Sequence, residues 1–272
     1  MRVSAMMRVD EHCGSKRIKA GVGCMGMNRA VVALAMLALS IGSIAGADLS
    51  IMTYNVYFDD VSGNAGRYPR IVEQLGAVRP NVIALQEVTR DFRGRLDAFA
   101  KNNGYALVGD IDGDYGVVFL TNLKVESSAV VRLPSRMGRY GLRATLVDGD
   151  RTFTVITAHL DSMLDDTEMR KMQLSRLLES LPKTGGILLG DCNFGDGEPE
   201  NDMLASLTDA AGGSTAPTYD VIDNAIARRT RFENERSRRL DRILLTKDWT
   251  FNSYTVHRNE HSDHYAISLT LK

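Results

Sequence analysis

"GGILLGDCNFG", residues 185–195, decides the fold class. Ile187, Leu188 and Leu189 form a short apolar run that reads as a buried strand. Asp191 and Asn193 fall where that strand stops, with Cys192 between them. Two readings fit the stretch by itself. Asp and Asn side chains hydrogen-bond their own backbone, so it can be an ordinary turn. Equally, the strand can be delivering two polar side chains to a site at its end.

The same pattern recurs along the chain. "LSIMTYN" ends at Asn55, "NVIALQE" at Gln86 and Glu87, and "TFTVITAHLDS" at His159, Asp161 and Ser162. "RLDRILL" carries Asp241, and "HSDHYAISLTL" opens on Asp263 and His264. Helices are expected between some of these strands. "YPRIVEQLGAV" puts Ile71, Val72, Leu75 and Val78 on one face, with Pro69 near the helix start, where its fixed φ fits. "EMRKMQLSRLLESL" places Met169, Met172, Leu177 and Leu181 at helical spacing, which predicts that the methionines pack into the core. "DYGVVFLTNL" and "GLRATLVDGDRTFTVIT" read as antiparallel strands, with "DGD" (148–150) as a hairpin turn. Hairpins mixed with helices predict mixed sheets, not a purely parallel doubly wound fold. No linker interrupts residues 48–272, which are expected to form one domain.

The N-terminal segment has a different character. "AVVALAMLALSIGSIAGA" (30–47) is uncharged, follows Arg29 and ends in small residues, the layout of a secretory signal peptide. Residues 1–47 are therefore expected to be an extension plus signal, cleaved after Ala47, with the remainder exported to a periplasm or secreted. The alternative is an uncleaved membrane anchor. Of 33 Lys+Arg and 34 Asp+Glu, residues 1–47 hold six and two, so the rest has 27 against 32, a formal charge of −5. That balance excludes a globally basic nucleic-acid binder and leaves room only for a local polyanion patch. Cys13 and Cys24 would also leave, so Cys192 would have no disulfide partner within the mature chain. The fold must then rest on its core, which a domain of this length can supply.

Carboxylates, carboxamides and two histidines at six strand ends can converge in one cleft. Hard oxygen ligands, without cysteine or a His-x-x-x-His pair, suit Mg²⁺ or Mn²⁺ better than zinc. Such a cation, with a carboxylate to activate water and a histidine to meet developing charge, is equipment for phosphoryl hydrolysis.

In order, "TYNVYFD", "PNVIALQEV", "TAHLDS", "GDCNF", "RLDRILL" and "SDHYAI" resemble the motifs of the endonuclease/exonuclease/phosphatase superfamily across residues 49–272. "PSRMGRYGLRATL", "EMRKMQL" and "APTYD" resemble most its 5′-tyrosyl-DNA phosphodiesterase group, with Tyr219 where that group has tryptophan. The resemblance implies an α/β (α+β) sandwich in four layers: two mixed, mostly antiparallel sheets face to face, with helices outside. It implies a metal-dependent phosphodiesterase acting on DNA or a 5′-tyrosyl-DNA substrate. Glu87 would hold the Mg²⁺ or Mn²⁺, with Asn55 and Asp263 beside it. Asp191 would position or deprotonate water, and Asn193 would orient it or touch a phosphate oxygen. His264, braced by Asp241, and His159 would contact phosphoryl oxygens. Arg139, Arg236, Arg238, Arg239 and Ser162 are the expected substrate contacts, and Asp161 is expected to help or merely cap its turn. Seven arginines in 227–242 would form a guanidinium rim for phosphates or a solvated loop. The expected state is a monomer without a protein partner. The rival readings are a secreted sphingomyelinase-like phospholipid phosphodiesterase, which would want an exposed apolar hairpin, and a non-catalytic binding module on the same fold.

Overall fold

The computed structural model describes residues 48–57 and 64–272. The expected signal segment, Cys13 and Cys24 lie outside the described residues. Among the described residues no helix is long and apolar enough to cross a membrane.

Two six-stranded sheets form the body. The first contains β1 (Leu49–Asn55), β2 (Val82–Thr89), β3 (Ala106–Val108), β4 (Tyr115–Thr121), β11 (Phe251–His257) and β12 (Ala266–Leu271), in the order β11-β12-β1-β2-β4-β3. The second contains β5 (Lys124–Arg132), β6 (Tyr140–Asp148), β7 (Arg151–His159), β8 (Gly186–Asp191), β9 (Thr208–Asp209) and β10 (Asp241–Leu245), in the order β5-β6-β7-β8-β10-β9. Among the described pairings only β1–β2 and β7–β8 are parallel; the rest are antiparallel. The expected mixed, mostly antiparallel sandwich is borne out, including the hairpin at 148–150, where Asp148 pairs with Arg151.

Side-chain alternation builds the layers. Leu49 and Ile51, Val82 and Ala84, Val155, Ile187 and Leu189, and Ile243 and Leu245 point inward and form the core between the sheets. The alternate residues point outward. Met52, Tyr54, Ile83 and Leu85 pack under α1 (Asn64–Val78) and α2 (Arg90–Asn103). Ile156, Leu188 and Cys192 pack under α3 (Thr167–Ser180). The result is helix, sheet, sheet, helix. Cys192 is buried in the outer cluster, facing away from its two polar neighbours.

Two local expectations change, and one helix was not expected. Pro69 lies inside α1, which begins at Asn64 rather than at the proline. In α3 the buried residues are Arg170, Gln173, Leu174 and Leu177, while Met172 is exposed. The inward polar pair has partners: Arg170 donates to Glu200 at 2.8 Å and Gln173 to Asp161 at 2.8 Å. The unexpected helix is α2, which follows β2 without a loop. Thr89 caps it, its hydroxyl accepting from Phe92 N at 3.1 Å, and Gly104 ends it at φ 73°. Phe92, Leu96, Phe99 and Ala100 carried the helical signal.

Candidate active site

Both parallel pairs are βαβ units, β1-α1-β2 and β7-α3-β8, so each delivers two strand C-termini to one end of its sheet. The antiparallel neighbours β12 and β10 start at that same end. The inward-facing rows therefore run apolar, then polar. Leu49-Ile51-Thr53 leads to Asn55, Val155-Thr157 to His159, Ile187-Leu189 to Asp191, and Leu245-Ile243 to Asp241. In register, His159 neighbours Asp191, and Asp191 neighbours Asp241. A buried polar layer lies beneath: Gln86 Nε2 donates to Thr53 Oγ1 at 3.0 Å and to Thr157 Oγ1 at 2.9 Å, joining the two sheets.

Glu87 should face outward by alternation. A register break between Leu85 and Val88, with Glu87 at φ 57°, turns it back to the site. Asn193 also takes a left-handed φ of 54°, in a turn that Asp191 Oδ1 closes by accepting from Asn193 N at 3.0 Å. So the ordinary turn does form, and it also fixes Asp191.

Asp191 is the hub. Its Oδ2 accepts from Asn55 Nδ2 at 2.9 Å and lies 3.4 Å from His159 Nε2 and 3.7 Å from His264 Nε2. Asn55 Nδ2 also donates to Glu87 Oε1 at 3.1 Å, while its oxygen accepts from Tyr57 N at 3.0 Å. His264 Nδ1 lies 2.8 Å from Asp241 Oδ2, and the Tyr219 ring stands 5.4 Å from the His264 ring. Arg139 Nη1 lies 3.0 Å from His159 Nδ1. Asn193 Nδ2 donates to the Leu160 carbonyl at 3.0 Å.

Charge and burial set the protonation states. Burial pushes Asp191 up to about 6, against the pull of His264, with Asp241 adding to the rise. Burial likewise pushes Asp263 up to about 7, opposed by His264 and reinforced by Glu87 and Asp191. Burial alone would depress His264, but Asp241 and Asp191 outweigh it and raise the imidazole well above its ordinary value. His159 goes the other way: burial, then the charges of Arg139 and His264, hold it well below.

Glu87 and Asp263 supply hard oxygen donors, and their mutual repulsion is relieved by a dication. They fit Mg²⁺ or Mn²⁺. Asn55, expected beside the cation, turns its nitrogen to the carboxylates, bridging Glu87 to Asp191, and its oxygen to Tyr57 N, which occupies one of that oxygen's two lone pairs. Asp191, Asp241 and His264 also lie close enough together to hold an ion. Within this group His264 Nδ1 and Asp241 Oδ2 stand 2.8 Å apart, a His–Asp pair that is able to handle protons beside the Asp191 carboxylate.

The expected substrate contacts divide. Arg139 borders a cleft of about 300 Å³ walled by Tyr115, Met137, Tyr140 and His159. Arg236 is exposed. Arg238 and Arg239 do not form a free rim. Arg238 pairs with Glu198 at 3.3 Å and Glu235 at 3.1 Å, and buried Arg239 pairs with Asp196 and Asp209. Ser162 turns its N–H and hydroxyl to Met137 Sδ, at 3.4 and 3.5 Å, rather than to the cluster. Asp161, fully buried, organises a neighbouring segment through Ser135 at 2.5 Å and Gln173 at 2.8 Å, contacts without a sequence signal of their own.

A model of the endonuclease/exonuclease/phosphatase family matches residues 52–264. The chain belongs to that family. Members of the family are phosphoric-ester hydrolases. No curated protein sequence matches this one significantly. Among solved structures, D. rerio TDP2 (tyrosyl-DNA phosphodiesterase 2) complexed with single strand DNA product is 23% identical, with a TM-score of 0.71 over 83% of this chain and 99% of that one. The human Nocturnin catalytic domain with bound sulfate is 20% identical, with a TM-score of 0.67 over 83% and 93%. A family protein from Bacteroides thetaiotaomicron is 16% identical, with a TM-score of 0.64 over 83% and 98%. These likenesses show that the family's sandwich is the fold of this chain.

Proposed function

We propose that this family member is an exported, divalent-cation-dependent phosphodiesterase that cleaves DNA or a 5′-tyrosyl-DNA ester by in-line attack of water. One observation carries the reading: Asp191 Oδ2 faces Nε2 of two histidines of opposite character, His159 held neutral and His264 held cationic.

Ionised Asp191, steered by Asn55 and by the Asn193 backbone, accepts the proton of the attacking water. His264 donates from Nε2 to a phosphoryl oxygen as charge builds there, while Asp241 holds its other nitrogen. The 3.7 Å gap between His264 Nε2 and Asp191 is too long for a hydrogen bond, so that donor is not committed to the carboxylate. His159 contacts a second phosphoryl oxygen. Asn193 has one N–H on Leu160 and a second for the phosphate. A cation held by Glu87 and Asp263 would supply Lewis-acid polarisation of the phosphoryl group. The cleft beside His159, walled by Tyr115, Tyr140 and Met137, supports an aromatic leaving group.

A second reading, a phospholipid phosphodiesterase, is favoured by Met163 and Leu164. They stand 49% and 62% exposed in the loop after His159. The deciding experiment offers the protein, with Mg²⁺ or Mn²⁺, single-stranded DNA, duplex DNA, 5′-phosphotyrosyl DNA and sphingomyelin. Cation-dependent cleavage of a DNA substrate is expected. Preference for sphingomyelin favours the second reading; full turnover in EDTA, or none on any substrate, overturns the proposal. Intact mass of exported material should show Asp48 as its first residue.

A further inference from the structure

His159 sits in a frame that decides which of its nitrogens carries hydrogen. The Arg139 guanidinium lies 3.0 Å from Nδ1 and can only donate, so Nδ1 must be the acceptor. A neutral imidazole then carries its proton on Nε2, and Nε2 faces Asp191 at 3.4 Å and Glu87 at 3.7 Å. The guanidinium is itself held in place. Its carbon stands 4.9 Å from the Tyr115 ring centre, and the residue is 8% exposed.

The backbone that carries Arg139 is tied to the exit of the strand that carries His159. Ser135 Oγ accepts from Arg139 N at 2.9 Å and donates to Asp161 Oδ1 at 2.5 Å. Asp161 Oδ2 accepts from Arg136 N at 2.9 Å. Gln173 of α3 donates to both Asp161 Oδ1, at 2.8 Å, and the Pro134 carbonyl, at 2.9 Å. Asp161 lies two residues beyond His159, so guanidinium and imidazole are fixed to each other at both backbone and side chain.

We propose that Arg139 is a positioning residue that locks His159 in the neutral Nε2–H tautomer, and that Ser135 and Asp161 set the segment presenting it. His159 is then a pure donor to the phosphate, and proton transfer falls to Asp191 and His264. The tautomer lock concerns the free protein; its catalytic consequence rests on the phosphodiesterase reading.

The test is long-range ¹H–¹⁵N NMR of histidine-labelled protein without substrate, with His159 assigned by the loss of its signals in His159→Gln. Wild type should show an unprotonated Nδ1 and a protonated Nε2 at neutral pH. Arg139→Met, with the fold intact by its methyl spectrum, should show mixed tautomers or a doubly protonated ring. Arg139→Lys keeps a donor and should largely restore the wild-type pattern. On a cleaved phosphodiester, Arg139→Met should lower kcat by about 10–100-fold with a smaller change in KM, and Arg139→Lys should recover part of it. A wild-type ring protonated on Nδ1, or an Arg139→Met ring with the wild-type tautomer, overturns the lock. If the tautomers behave as expected but no phosphodiester is cleaved, the functional reading falls and the lock stands.

Discussion

In the proposed reaction Asp191 must be ionised to accept a proton from water, yet burial favours its neutral form. Its value of about 6 should therefore appear as the acidic limb of the pH–rate profile. On the same proposal the alkaline limb should report His264, whose cation is favoured by Asp241 at 2.8 Å. Asp241→Asn should move that limb to lower pH, as kcat against pH will show; an unmoved limb removes Asp241 from the role. Asp191→Asn and His264→Gln should each stay folded and lose at least about 10²-fold in turnover. The double variant should lose less than the product of the two, because both act on one step. Asp263 gives a stability test. Its folded value, about 7, exceeds the ordinary carboxylate value of 3.8. The folded state thus binds the extra proton, and stability falls as pH rises from about 4 to 7. In EDTA, Asp263→Asn should melt higher than wild type at pH 8, by on the order of 1–3 kcal/mol, with the gap closing toward pH 4. An equal or lower melting temperature at pH 8 contradicts the burial argument.

At the scale of elements, the turn after β8 depends on Gly190. A Cβ there would meet the Ala158 carbonyl oxygen at 2.0 Å, on the strand that pairs with β8 through His159 and Asp191. Gly190→Ala should cost at least about 3 kcal/mol, seen as a lower denaturation midpoint, and should displace Asp191 along with the strand. The turn, the strand ends and the mixed sheets were legible because each is written within a few residues: an apolar run, then a polar stop. Glu87 was visible as a residue, but the bulge that aims it was not, because strand alternation points it the wrong way. α2 was hidden because Thr89 ends a strand and caps a helix at once. Most partners of Arg238 and Arg239 were hidden because Glu198, Asp196 and Asp209 lie 30 to 43 positions away in sequence, whereas Glu235 lies three positions from Arg238. Ser135 and Gln173 stayed silent for the same reason, and Asp161 was visible only as a strand-end residue, since the meaning of all three lies in contacts between separate segments.

Across the whole molecule, a chain with a formal charge of −1 can attract a polyanion only through local charge. Arg228, Arg229, Arg231 and Arg236 are exposed on the late loop, whereas Arg238, Arg239 and Arg242 hold carboxylates. Replacing Arg228, Arg229 and Arg236 with Ala should reduce the salt dependence of DNA binding by about one unit of slope per lost phosphate contact. An unchanged slope in anisotropy titrations would return the loop to plain solvated surface. Arg239→Ala should instead destabilise the fold, because it leaves Asp196 and Asp209 short of a partner. The sandwich has one more consequence. Asn55 and Glu87 ride on one sheet, with Asp263 in the segment that leads into its β12; His159, Asp191 and Asp241 ride on the other. The gap between reacting groups is therefore the thickness of the interior. Ile51, Ala84, Val155 and Leu189 act as spacers, and trimming one would detune the chemistry without touching a single polar atom.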